Sequence, residues 1–161
     1  MKKKRKITEQ YLYNYSMFYL SKYSATEYMV VRVLKNRIYK NLTESESFSD
    51  YSDLIKTVID KLKKNKIIDD KRYTEMFFHS AKSEKLSSTK SINYLISKGI
   101  KKETIYEVSL KSEVKSDKDK AIDFAKSKKL GKYGTNNNLQ KDLGKMSRAG
   151  FTYTDSINAL V

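Results

Sequence analysis

The sequence predicts an all-α chain built as three tandem three-helix repeats that form an elongated, curved body. Three observations predict it. Proline is absent and glycine occurs five times in 161 residues, so little in the chain interrupts a helix. Apolar residues recur at three- and four-residue spacing in one segment after another. The helical segments also fall into rounds of three, each about 45–55 residues long, as in many repeat proteins.

The first round covers residues 8–68. Leu12, Tyr15, Tyr19 and Leu20 mark one face of an opening helix. Ser24 with Glu27 reads as a capping box before a second helix, with Met29, Val30, Val33 and Leu34 inward. Residues 41–49 are polar and read as a loop. A third helix carries Leu54, Ile55, Val58, Ile59 and Leu62 on its inner face. The second round covers residues 69–114. Asp69 or Asp70 caps a helix bearing Tyr73, Met76, Phe77 and Ala81, and Ser87, Ser88 or Thr89 caps the next. That helix buries Ile92, Leu95 and Ile96 and stops at Gly99, and a short helix with Ile105 and Leu110 follows. The third round, residues 115–161, brings Ala121, Ile122 and Ala125, then Leu139, Leu143 and Met146 up to Gly150, then Tyr153, Ile157 and Leu160. Ile92–Leu95–Gly99–Ile100 matches Leu143–Met146–Gly150–Phe151 at an offset of 51 residues.

Lysine and arginine number 34 against 19 aspartates and glutamates, a formal net charge of +15. Five of the cations stand in the first six residues, which with Ile7 read as a basic disordered arm over 1–7. The remaining surplus is spread along the chain and points to a polyanionic partner, nucleic acid first. Compositional drift, with lysine accumulating on solvated faces, is the other source of such a surplus. No apolar stretch follows the basic start, so it is not a secretory signal, and no run suffices for a membrane span. With no cysteine as well, the expected setting is cytoplasmic, without disulfides or thiolate chemistry.

Residues that carry catalysis are not evident. His79 is the only histidine and has no ligand grouping around it. Asp69 and Asp70 read as a cap, and the glycines form no phosphate-cradling loop. Neither an enzyme, nor a metal site, nor a cofactor is expected. The basic faces say more. Arg32, Lys35 and Tyr39 form a stripe opposite Met29, Val33 and Leu34, suited to gripping phosphates or serving as an ordinary solvated face. Lys61, Lys63, Lys64 and Lys66 cluster near a helix end, where the dipole alone favours cations. A third cluster holds Lys126, Lys128, Lys129 and Lys132. Residues 92–110 also read as a helix-turn-helix, which gives the alternative of a duplex-DNA-binding transcription regulator. Glu103 and Glu107 on its second helix oppose phosphate.

The order of blocks resembles the RecX family of RecA regulators. Tyr19-Leu20 running to Ser24 and Glu27, followed by Arg32-Val33-Leu34, is similar to the family's first repeat. Leu62 through Ile67-Ile68-Asp69-Asp70 to Arg72-Tyr73 resembles its most recognisable block. Ile92, Leu95 and Lys98-Gly99-Ile100 resemble the end of the second repeat's middle helix, and Lys141 through Arg148-Ala149-Gly150-Phe151, Tyr153 and Ile157 the C-terminal Arg-Gly-Phe block. The likeness covers nearly the whole chain from Tyr11. It departs at Ala149, where the family often has a second arginine, at residues 85–89, which lack the usual glycine and basic residues, and in the long acidic loop. The resemblance implies a basic concave face that binds the RecA filament on single-stranded DNA and inhibits it; a monomer is the expected state, though nothing in the residues fixes it. Arg32, Lys35, Tyr39, Arg72, Lys98 and Arg148 are the expected contacts.

Overall fold

The computed structural model describes residues 6–135 and 138–161. Among these the chain is all-helical, with ten α-helices, two short 3₁₀ turns and no strand. The helices are α1 Glu9–Leu20, α2 Glu27–Tyr39, α3 Ser52–Lys64, α4 Asp70–Phe78, α5 Ala81–Glu84, α6 Ser88–Ser97, α7 Lys102–Lys111, α8 Asp117–Lys128, α9 Leu139–Ala149 and α10 Tyr153–Leu160. The 3₁₀ turns are Phe48–Tyr51 and Gly131–Tyr133. None of these helices is long and apolar enough to cross a membrane. Most of the expected basic arm, residues 1–5, lies outside the described residues. Ile7, assigned to that arm from sequence, is buried.

The chain divides into two compact units. The first runs to Tyr73 and adds Lys98–Ile100; the second holds Thr74–Ser97 and Lys101–Val161, so the boundary falls inside α4. In the first unit α1, α2 and α3 pack mutually. Their core is Leu12, Val30, Leu34, Ile38, Ile55, Val58, Ile59 and Leu62, closed by Ile7, Ala25 and Ile68. Each fully buried aliphatic side chain there contributes about 1.5–3 kcal/mol. In the second unit α8, α9 and α10 pack mutually, and α6 packs on α7. Ala121, Ala125 and Ala159, all fully buried, let α8 and α10 approach closely, and Leu130, Met146, Phe151 and Leu160 complete that core.

One joint occurs in each unit. In the first, the N-terminus of α2 is held by later residues. The cap is Thr26, not the Ser24–Glu27 box that the sequence suggests. The Thr26 hydroxyl accepts from Met29 N at 3.3 Å and donates to the Lys98 carbonyl at 2.6 Å. Asp70 Oδ1 accepts from Glu27 N at 2.9 Å, so Asp70 serves α2 while Asp69 caps its own helix through Arg72 N. Gly99, at φ +83°, lies against Tyr28; a Cβ there would sit 2.2 Å from Tyr28 Cβ. Ile100 beside it is buried. In the second unit, Ser87 caps α6 by accepting from Lys90 N at 3.2 Å, and its own N–H donates to the Ala149 carbonyl at 3.1 Å. Asp117 Oδ1 accepts from both Ser88 N and Ser88 Oγ, at 2.8 and 2.7 Å. Gly150, at φ +93°, lies against Ser87 and Lys90, and a Cβ there would come within 2.5 Å of Ser87 Oγ. Phe151 is buried, as Ile100 is. A capped helix start, a carboxylate at the start of a later helix, and a positive-φ glycine turn thus meet twice.

Several residues expected inward point outward instead: Met76, Leu110, Tyr153, Leu139 and Ile96, with Leu110 87% exposed. The buried positions of those helices include Thr74, Ser91 and Ser156, which apolar periodicity passes over. A hydroxyl can be buried in a helix by bonding the carbonyl one turn back. Ser156 does so to Thr152 at 2.6 Å, and Ser16 to Leu12 at 2.9 Å. Ala81 belongs not to α4 but to α5, which starts anew from the Ser80 cap.

Candidate functional site

The exposed face of α2 carries Arg32, Lys35 and Tyr39, opposite the buried Val30, Leu34 and Ile38. Three- and four-residue steps align them on one side of the helix. Tyr39 stacks on Phe48 of the first 3₁₀ turn, with ring centroids 4.9 Å apart and planes 14° from parallel. Lys35 Nζ lies 5.9 Å from the Phe48 ring. Phe48 is the member of this group that the sequence reading missed, because the segment around it is polar and acidic. Ser47 anchors the turn through a capping box with Asp50, and the Tyr51 hydroxyl donates to Glu46. That bond is the first cause holding the Tyr51 phenol above its ordinary pKa.

Arg72, also in this unit, is exposed on α4. Lys98 is half-buried, and its carbonyl belongs to the joint at α2. Two lysines of the cluster ending α3 are engaged within the fold. Lys61 pairs with Glu9 at 3.6 Å and lies 4.9 Å from the Tyr13 ring. Lys63 pairs with Glu27 at 2.8 Å, which raises the pKa of its ammonium. Asp70 behind them is raised above the usual carboxylate range, mainly by burial.

Arg148 belongs to the other unit. With Lys128, Lys145, Phe124 and Ala149 it lines an open depression between α8 and α9. Lys145 is fixed by Asp142 at 2.9 Å, and Asp142 in turn accepts from Gly131 N at 3.0 Å. The backbone bond, then the Lys145 bond, hold the Asp142 carboxyl below its ordinary pKa. The segment read as a helix-turn-helix has its Gly99 turn packed on Tyr28, while Glu107 pairs with Lys111 at 3.1 Å. Packing thus explains the Gly99 turn of that pattern as well as groove reading does. Among the described residues no three His, Asp or Glu side chains gather as a metal site would require.

Fold and surface together describe an all-helical, strongly basic protein whose notable side chains are cations and aromatics on exposed helix faces. No family model matches the chain. A curated protein named regulatory protein RecX, from Myxococcus xanthus (strain DK1622), is similar to it. The two are 28% identical over 159 residues, covering 94% of this chain and 85% of that protein.

Proposed function

We propose that this protein is a non-catalytic regulator of the RecA recombinase, which it inhibits by binding the RecA–single-stranded DNA filament through its basic surface. The observation that carries the reading is the end-to-end similarity to a RecX regulatory protein. The net charge of +15 suits a partner made of phosphate and acidic protein. The tandem-repeat reading behind the proposed curved surface is supported by the recurring joint, which makes Thr26, Asp70 and Gly99 correspond to Ser87, Asp117 and Gly150. Tandem repeats in general bury their faces against neighbours and leave a surface for a partner. Arg32, Lys35, Tyr39, Arg72, Lys98 and Arg148 are the proposed contacts.

The test is RecA-dependent ATP hydrolysis on single-stranded DNA, with and without this protein. Inhibition that weakens as salt rises is the expected outcome. The double variant Lys35→Glu/Arg148→Glu should inhibit at least about tenfold less well at equal concentration, two charge-assisted contacts being lost, with an unchanged helical circular-dichroism spectrum. Full inhibition by that variant would remove these two residues from the interface. No effect of the wild-type chain on hydrolysis or strand exchange would sink the reading itself.

A further inference from the structure

In the depression between α8 and α9, three cations and an aromatic ring line a single concavity. This open depression has a volume of about 490 Å3, within the roughly 300–1,000 Å3 of small-ligand sites. Phe124 is half-buried, with its ring centroid 5.7 Å from that of Phe151. The hydrophobic core thus backs the ring while part of it borders the opening. Ala149 adds a small apolar patch beside it.

Lys128, Lys145 and Arg148 supply the charge, and two of them are positioned. Lys145 is tethered to the buried Asp142. Arg148 lies back along α9 over Gly144, where an added Cβ would meet only Arg148 Nη1, at 3.8 Å, among the described residues. A glycine in a helix interior costs about 1 kcal/mol against alanine, and packing does not demand one here. Gly144 instead keeps the flank beside the guanidinium open. With Asp142 neutralising one of the three cations, the group suits a ligand combining negative charge with a planar ring. Arginine offers a fork that matches phosphate oxygens, and an aromatic ring beside cations is how proteins hold a base next to its phosphate.

We propose that this depression is a nucleotide-binding site, in which Lys128 and Arg148 take phosphate beside the Asp142-paired Lys145 and Phe124 stacks on the base. It deepens the proposed function by giving Arg148 a ligand, and its test needs no recombinase. Binding of a fluorescent dT oligomer to the full chain is measured by anisotropy across a salt series, beside an abasic oligomer of equal length. Lys128→Gln/Arg148→Gln should lower affinity on the order of tenfold and flatten the log–log salt slope by about 1.4. The control pair Lys101→Gln/Lys102→Gln, exposed on the same unit, should lower affinity less. The wild type should prefer dT over abasic strand by roughly tenfold, and Phe124→Leu should abolish that preference. Displacement of the oligomer by dTMP would identify free nucleotide as a ligand source; failure of dTMP to compete would identify the strand. Equal losses in the two lysine-containing pairs, no preference for bases, or equal displacement by polyglutamate of matched charge would overturn the site. These results bear on the depression alone, since RecA inhibition is scored separately.

Discussion

At the scale of single residues, two lysines stand where a glycine would be easier. Lys66 and Lys129 have φ of 54° and 52°, in the left-handed region. They turn the chain after α3 and α8, where Ile67 N bonds Leu62 O and Leu130 N bonds Ala125 O, both at 2.9 Å. A side chain in that region costs about 1–2 kcal/mol. Lys66→Gly and Lys129→Gly should each stabilise the chain by about 0.5–1 kcal/mol after glycine's own entropy is counted, read as a higher urea midpoint. Lys120 is a different case. It is 2% exposed and its ammonium has no hydrogen-bond partner among the described residues. Burial lowers its pKa, while the Asp117 and Glu84 carboxylates pull the other way. Because the folded state binds this proton less well than the unfolded chain, the stability difference shifts in the folded state's favour as pH climbs through the lowered pKa toward 10.5. Lys120→Met should therefore raise the melting temperature at neutral pH, with a gain that shrinks toward pH 10. A gain independent of pH would disprove the electrostatic cause.

At the scale of elements, helix order was legible because apolar spacing and caps are local signals. α3 follows its apolar face closely, from Ile55 to Leu62. Less legible was everything set by neighbours. Ser24–Glu27 has the spacing of a capping box, yet the buried Thr26 won because its hydroxyl reaches a carbonyl 72 residues later. Thr74, Ser91 and Ser156 were passed over because polarity conceals burial. Phe48 was missed since its partner Tyr39 belongs to another element. Of the expected site residues, the α2 stripe was recoverable from helical spacing, whereas the Arg148 depression depends on α8 and α9 meeting in space. The joints give the sharpest test at this scale. Gly99→Ala and Gly150→Ala should each cost at least about 2 kcal/mol, from left-handed strain plus overlap with a neighbouring helix start. Gly144→Ala, mid-helix and uncrowded, should be neutral or stabilising by up to about 1 kcal/mol. Chemical denaturation of the three variants makes the comparison.

At the scale of the whole molecule, charge and order of assembly matter most. An excess of 15 positive charges makes any association with a polyanion salt-dependent, and an inhibition curve unmoved between low and high salt would contradict the proposed mode of binding. The first unit is also not a continuous stretch of sequence, since Lys98–Ile100 belongs to it. A chain emerging from the ribosome cannot close that unit until residue 100 has left the exit tunnel, long after α1 to α3 are free to associate. A fragment ending at Ser97 should accordingly be more readily cleaved near Thr26 by added protease than one ending at Lys111. The early helices must wait, half-fastened, for a three-residue clasp made much later in synthesis.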